Sequence, residues 1–187
     1  MSSEEERLVR EAISGNQAAF SRLYGEHFDK VYRYVYFRVS VRSEAEDITQ
    51  EVFLKVYRSL KDFQFRSTFK TWLYRVTVNT ALNVYKRVSR QMKGREDFDT
   101  VIATYPSDSN SANEIINSEQ QQENELRVKS LLECLSPEQR ACIVLREIQG
   151  LSYQEMAETL KDNINTVRTR LKRARQALGA FARGGAR

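Results

Sequence analysis

The sequence predicts an all-α protein: two small helical domains joined by a flexible linker. Three observations carry this. Glycine and proline are scarce, 7 and 2 in 187 residues, while strong helix formers abound, so the turn residues of a many-stranded sheet are lacking. Apolar residues recur at helical spacing on both sides of the chain's middle, with capping-box patterns at Ser43 to Glu46, Ser136 to Gln139 and Ser152 to Glu155. Between these halves, residues 94–125 read GREDFDTVIATYPSDSNSANEIINSEQQQENE, rich in Asp, Asn, Ser, Gln and Glu and too polar for a core. The expected domains are therefore 1–93 and 126–187, with 94–125 as an acidic linker that could turn helical after Asn113.

The formal charge of +5 is unevenly spread: residues 1–93 carry 17 basic against 11 acidic side chains, 94–125 carry 1 against 8, and 126–187 carry 12 against 6. Two basic bodies flanking an acidic strip suggest polyanion contacts by both ends of the chain. No apolar run approaches the roughly 20 residues of a membrane span. The N-terminal MSSEEERLVREA reads as an acidic helix without the basic start and apolar core of a signal peptide. The expectation is a cytoplasmic protein without membrane insertion. Cys134 and Cys142 stand eight apart with no Cys or His nearby, and the single His27 is remote, so no metal, cofactor or disulfide framework is expected. Both cysteines read as buried, reduced core residues.

The first informative helix is AEDITQEVFLKVYRSL, Ala45 to Leu60. Its periodicity turns Val52, Phe53, Val56 and Leu60 inward and leaves Asp47, Gln50, Glu51, Leu54 and Arg58 outside. An acidic face with an exposed leucine suits a protein partner better than nucleic acid, and equally fits a solvated face with one stray leucine. The loop DFQFRSTF follows, with Phe63, Phe65, Arg66, Ser67 and Phe69, and then a helix over Thr71 to Arg87. At about 100° per residue this helix buries Leu73, Val76, Thr80, Val84 and Val88 and groups Trp72, Arg75, Asn79, Asn83, Lys86 and Arg90 on the opposite side. A tryptophan among amides and cations fits a surface on which unpaired bases stack, worth on the order of 1–3 kcal/mol per base, with the phenylalanine loop placed to receive a flipped base. The alternative is a Trp packed on a neighbouring helix.

Past the linker, short helices are expected at Leu126 to Leu135, Pro137 to Ile148 and Ser152 to Leu160. Gly150 marks a stop, KDNIN a tight connection, and a last helix starts at about Thr166. Met156, Ala157 and Leu160 should pack on Val167, Leu171, Ala174 and Leu178, making a helix-turn-helix. The last helix then presents Thr169, Lys172, Arg173 and Gln176 outward with Arg168, Arg170 and Arg175 at its flanks, donors toward base edges and cations within reach of phosphates. A solvated basic helix would show the same pattern.

Together, AEDITQEVFLKVYRSLKDF, STFKTWLYRVTVNTALN, LSPEQRACIVLREIQGLSYQEMAETL and NTVRTRLKRARQAL resemble a bacterial sigma factor of the sigma-70 superfamily, in its extracytoplasmic function group. QAAFSRLYGEHFDKVYRYVYFR looks like the family's first conserved helices. The resemblance implies a region 2 bundle and a region 4 helix-turn-helix domain in a non-catalytic specificity subunit. Such a subunit binds core RNA polymerase, recognises the −10 and −35 promoter elements and promotes DNA opening. Carried over by position, Asp47, Gln50, Glu51, Leu54 and Arg58 match the surface that docks on the clamp helices of the polymerase's largest subunit. Phe65, Arg66, Ser67, Phe69, Trp72, Arg75, Asn79, Asn83 and Lys86 match the loop and helix facing the melted −10 strand. Ser152, Tyr153, Arg168, Thr169, Arg170, Lys172, Arg173 and Gln176 match the unit reading the −35 duplex. The linker looks like the one threading toward the polymerase active-site cleft.

The resemblance further implies the polymerase flap and an anti-sigma factor as partners, and a protein monomeric when free and nucleoid-associated when active. Asn163 and Asn165 depart from the family's usual Pro or Ser and Gly before the recognition helix. Asn caps helices and tolerates left-handed backbone, so the turn should form, with its tilt and −35 preference left open. A stand-alone helix-turn-helix regulator of duplex operators is the other reading, against which the Asp47 face and the Trp72 stripe count. Catalysis has no support, since no nucleophile has an evident base and no glycine loop cradles a phosphate.

Overall fold

The computed structural model describes residues 3–39, 41–92 and 127–184, which form helices and turns with no strand among them. The 94–125 segment and its expected helix after Asn113 lie outside the described residues. In chain order the helices are α1 (Ser3–Ile13), α2 (Gln17–Val39), α3 (Arg42–Ser59), α4 (Phe69–Met92), α5 (127–133), α6 (Pro137–Ile143), α7 (Tyr153–Leu160) and α8 (Ile164–Gly184). None among the described residues is long and apolar enough to cross a membrane.

Helices α1 to α4 close around Leu8, Val9, Leu23, Val31, Val35, Val52, Val56, Leu73 and Tyr74, all buried. Helices α5 to α8 build a smaller core from Leu132, Cys142, Val144, Leu145, Leu151, Met156, Val167, Leu171 and Ala174. A body this small has few side chains to spare, and its buried positions are apolar except Gln149 and Thr159.

The capping boxes at Ser136 and Ser152 form, and Pro137 occupies the first turn of α6. The Ser43 box does not: α3 starts two residues earlier than that cap would place it, its N-cap is Val41 without a side-chain bond, and Ser43 already lies inside the helix. The Pro137 to Ile148 helix stays α-helical only to Ile143, and Val144–Ile148 widens into a π-helical turn, closed by the Gln149 amide on the Val144 carbonyl at 3.0 Å. The last helix begins at Ile164, two residues before the expected Thr166, because the Asn163 side chain caps it from the Asn165 amide at 2.8 Å. The left-handed residue of that turn is Lys161 at φ 55°, not an asparagine. Cys134 is a correction too. It is exposed, with its thiol donating to the Leu131 carbonyl at 3.1 Å, because α5 has ended and the chain is turning there, whereas Cys142 is buried.

The two bodies are docked along a polar seam that no local pattern foretold. Gln149, in the turn between α6 and α7, is only 6% exposed and enters the groove between α2 and α4. Its side-chain oxygen accepts from the Tyr74 hydroxyl, its side-chain nitrogen donates to the Lys30 carbonyl at 3.0 Å, and its own carbonyl accepts from Lys70 Nζ at 2.6 Å. Thr71 Oγ1 donates to Glu155 at 3.2 Å, and Arg38 donates to the Pro137 carbonyl at 2.7 Å. Each buried polar atom of Gln149 thus has a partner, which is the condition for a polar plug to stabilise a seam.

Candidate functional site

Three surfaces gather the expected residues. On α3, Asp47, Gln50, Leu54 and Arg58 are exposed, Leu54 at 56%. Glu51 is half-buried and accepts from Lys55 Nζ at 2.6 Å. Tyr57 joins this face at 55% exposure, with its ring edge-on to Phe20 at 4.9 Å. Sequence reasoning passed over it, although Leu54 and Tyr57 stand three apart and therefore side by side on a helix. An acidic face carrying two exposed apolar side chains has the composition of a protein-docking patch.

The second surface is the start of α4 with the loop before it. Thr68 caps α4, its hydroxyl accepting from the Thr71 amide at 3.0 Å. Asn79 and Asn83 are exposed and Arg75 is half-buried, while the side chain of Lys86 lies outside the described residues. Trp72 is half-buried rather than free, its ring 5.2 Å from Phe63 and 5.8 Å from Phe69. Phe63 is buried, and so is Phe69, at 1% exposed and 5.3 Å from the His27 ring. Phe69 is therefore a floor beneath the tryptophan, not a side chain open to a base, because it begins α4 and must pack inward. Phe65 and Ser67 are half-buried, and Arg66 is exposed. A Trp with one side on buried phenylalanines and the other toward solvent is a stacking platform with amides about two and three turns beyond it.

The third surface is α8. Val167, Leu171 and Ala174 are buried and Leu178 half-buried, so Thr169, Lys172, Arg173 and Gln176 point to solvent. The flanking cations are positioned by partners. Arg170 is paired with Asp162, and Arg175 donates to Glu147 at 2.7 Å. Arg168 donates to Asn165 at 3.3 Å and lies 6.0 Å from the Tyr153 ring, against which Arg146 also stacks at 5.0 Å. Thr169 spends its hydroxyl on the Asn165 carbonyl at 2.9 Å and is no spare donor, while the Ser152 hydroxyl oxygen caps α7 by accepting from the Glu155 amide at 3.2 Å.

The seam abuts two of these surfaces. Thr71 and Tyr74 flank the α4 platform, and Glu155 lies in the first turn of α7, beside Tyr153. Burial opposes the Glu155 charge, but the Ser152 amide and hydroxyl, the Thr71 hydroxyl and nearby Lys70 together hold its carboxyl below the ordinary range. Burial, helped by Tyr34, raises the Tyr74 phenol, which stays a neutral donor to Gln149.

Residues 23–91 match the model of sigma-70 region 2, and residues 125–178 match that of sigma-70, region 4. The chain is 39% identical over 170 residues to the ECF RNA polymerase sigma factor SigE of Mycolicibacterium smegmatis, covering 88% of this chain and 63% of that protein. It is 37% identical over 174 residues to the ECF RNA polymerase sigma-E factor of Escherichia coli, covering 91% of this chain and 90% of that protein. The solved sigma factor RpoE of Bartonella quintana, in complex with the anti-sigma factor NepR, shares the fold at a TM-score of 0.69, with 22% identity over 88% of this chain and 96% of that one. With both regions present in order, and a relative matched over nine tenths of its length, the chain belongs to the extracytoplasmic function group of the sigma-70 family.

Proposed function

We propose that this cytoplasmic protein directs core RNA polymerase to promoters through its three surfaces: α3 on the polymerase clamp, the α4 platform on the melted −10 strand, and α8 in the −35 major groove. The observation that carries this reading is the Trp72 platform. A half-buried tryptophan backed by Phe63 and Phe69, beside exposed Asn79 and Asn83, has no use in reading intact duplex, whose base faces are hidden. The α8 face supports the complementary duplex role, with polar side chains at its outer pole and anchored cations at its rim.

The docked arrangement fits the free protein rather than the promoter-bound one. Helix α7 packs on both α4 and α8. Packed axes are about 8–10 Å apart, which puts the two reading helices roughly 20 Å from each other. Elements centred near −10 and −35 lie roughly 25 base pairs apart, about 85 Å at 34–36 Å per turn. Both cannot be read until the seam opens. An anti-sigma factor, of the kind found in complex with the Bartonella relative, would act on the same equilibrium by engaging the two domains.

The test is run-off transcription with purified core polymerase on a pool of bacterial promoter fragments. Discrete transcripts that require this protein and vanish with Asp47→Ala or Glu51→Ala are expected. Absence of transcripts together with absence of co-elution with core would replace this reading with that of a stand-alone duplex-binding regulator, which should be dimeric on its operator.

A further inference from the structure

Helix α1 precedes the residues that match the region 2 model, and nothing above gives it a part in reading DNA. One of its side chains nevertheless lies on the base-receiving loop. The guanidinium carbon of Arg10 is 4.2 Å from the centroid of the Phe65 ring. Glu6, one turn earlier, holds the same guanidinium by Nε at 3.2 Å and Nη2 at 2.6 Å. The Arg10 side chain is 61% exposed, so its outer side is open to solvent. Phe65 is itself fixed. Its backbone has φ 55°, a conformation non-glycine residues adopt rarely and chiefly where the surroundings hold them, and its ring packs on Phe63 at 4.8 Å, which in turn packs on Trp72 at 5.2 Å. From solvent to core the order is Arg10, Phe65, Phe63.

We propose that Arg10 is a strand-binding residue whose guanidinium, laid over Phe65 and pinned by Glu6, is the outer layer of the platform on which an unpaired promoter base stacks. This rests on reading the loop and α4 as the −10 surface. A base approaching Phe65 meets the guanidinium first, and guanidinium planes accept stacked bases as aromatic faces do. Arg suits the position because its cation is planar and weakly hydrated, whereas a lysine ammonium is neither. Glu6 is the telling neighbour. A cation meant only to attract phosphate gains nothing from a carboxylate bonded to it beside a polyanion, but a cation meant to stack gains a fixed orientation before the strand arrives.

The experiment measures binding of a short adenine-rich single-stranded DNA carrying one 2-aminopurine to the complex of the full chain with core polymerase, with the fluorophore's quenching as the report of stacking. Arg10→Ala and Arg10→Lys should each weaken binding about tenfold and relieve the quenching, the scale of one lost stack. Glu6→Gln should also weaken it severalfold, although it removes a negative charge facing DNA. Wild-type binding by Arg10→Lys with tighter binding by Glu6→Gln would reduce Arg10 to a point charge and overturn the proposal. Tighter binding by Arg10→Ala would overturn it as well, making the side chain a plug that the base must displace. Trp72→Ala in the same assay separates the two levels. If it weakens binding while the Arg10 variants do not, only the proposal for Arg10 falls; if it too has no effect, the −10 reading of the surface has failed.

Discussion

Helices α4 and α8 are both assigned to DNA, and they are built in opposite ways. Helix α4 is packed on nearly all sides: Leu73, Tyr74, Thr77 and Thr80 are buried in the first body, Thr71 is buried beside the second, and even Trp72 keeps only part of its surface. Helix α8 buries a single stripe, Val167, Leu171 and Ala174, and leaves the rest of its circumference to water and ion pairs. On the proposed function, the contrast follows from the two targets. A melted strand offers flat apolar base faces, so its receptor needs an aromatic surface held rigid by a core behind it. Duplex DNA offers hydrogen-bonding edges at the bottom of a groove, so its reader has to stand clear of its own domain and carry polar side chains outward.

The comparison can be broken most forcefully at the α8 stripe. Leu171→Ala removes a side chain 1% exposed from the smaller core and should cost about 2–5 kcal/mol, seen as loss of the α5 to α8 transition in thermal unfolding while the α1 to α4 transition stays in place. If both bodies melted together, the two helices would share one cooperative core and the contrast would be false. Trp72→Ala should lower open-complex formation by about 1–3 kcal/mol and leave −35 duplex binding intact. Equal loss in both assays would mean that Trp72 supports the fold only.

Gln149→Ala strands the Tyr74 hydroxyl and removes the bond to the Lys30 carbonyl, which should weaken docking by about 1–3 kcal/mol. Energy transfer between labels on α2 and α8 should report the opening, and an unchanged distance would show that the plug is not what closes the chain. Asn163→Ala removes the cap of α8 and should cost about 1 kcal/mol, read as weaker binding of −35 duplex with −10 strand binding unchanged.

The smallest effect is expected from acid. The folded Glu155 carboxyl lies below its ordinary value of 4.5. Its contribution to the seam is therefore fully present above that value and lost as the pH falls through the lowered one. The same labels should show the docked fraction constant near neutrality and declining below about pH 4.5. A decline already visible near neutrality would point to another group.

The cysteines show how far local pattern reaches. Cys142 was legible as a core residue and is one, its thiol pushed up to about 11 by burial. Cys134 carried the same signal, yet it is exposed, because α5 ends before it and periodicity does not report where a short helix stops. The outward faces of α3 and α8 were legible because a helix with one partner side stamps a 3.6-residue period on its sequence. Helix α4 was legible in part. Leu73 and Thr80 face inward as read, but Thr71 and the Tyr74 hydroxyl meet a second partner that a single stripe cannot announce.

What the sequence determined by itself was the local and the periodic. Helix content, the caps at Ser136 and Ser152, the turn at Gly150, and the composition of each exposed face all depend on residues within a few positions of one another. Only the tertiary structure decided that Gln149 meets Lys30 across 119 positions, that Phe63 packs against Trp72, and that Arg10 rests on Phe65. Such contacts join side chains from elements with no shared repeat. The amino-acid order fixes them through the way whole helix faces pack, and leaves no pattern along the chain from which to read them.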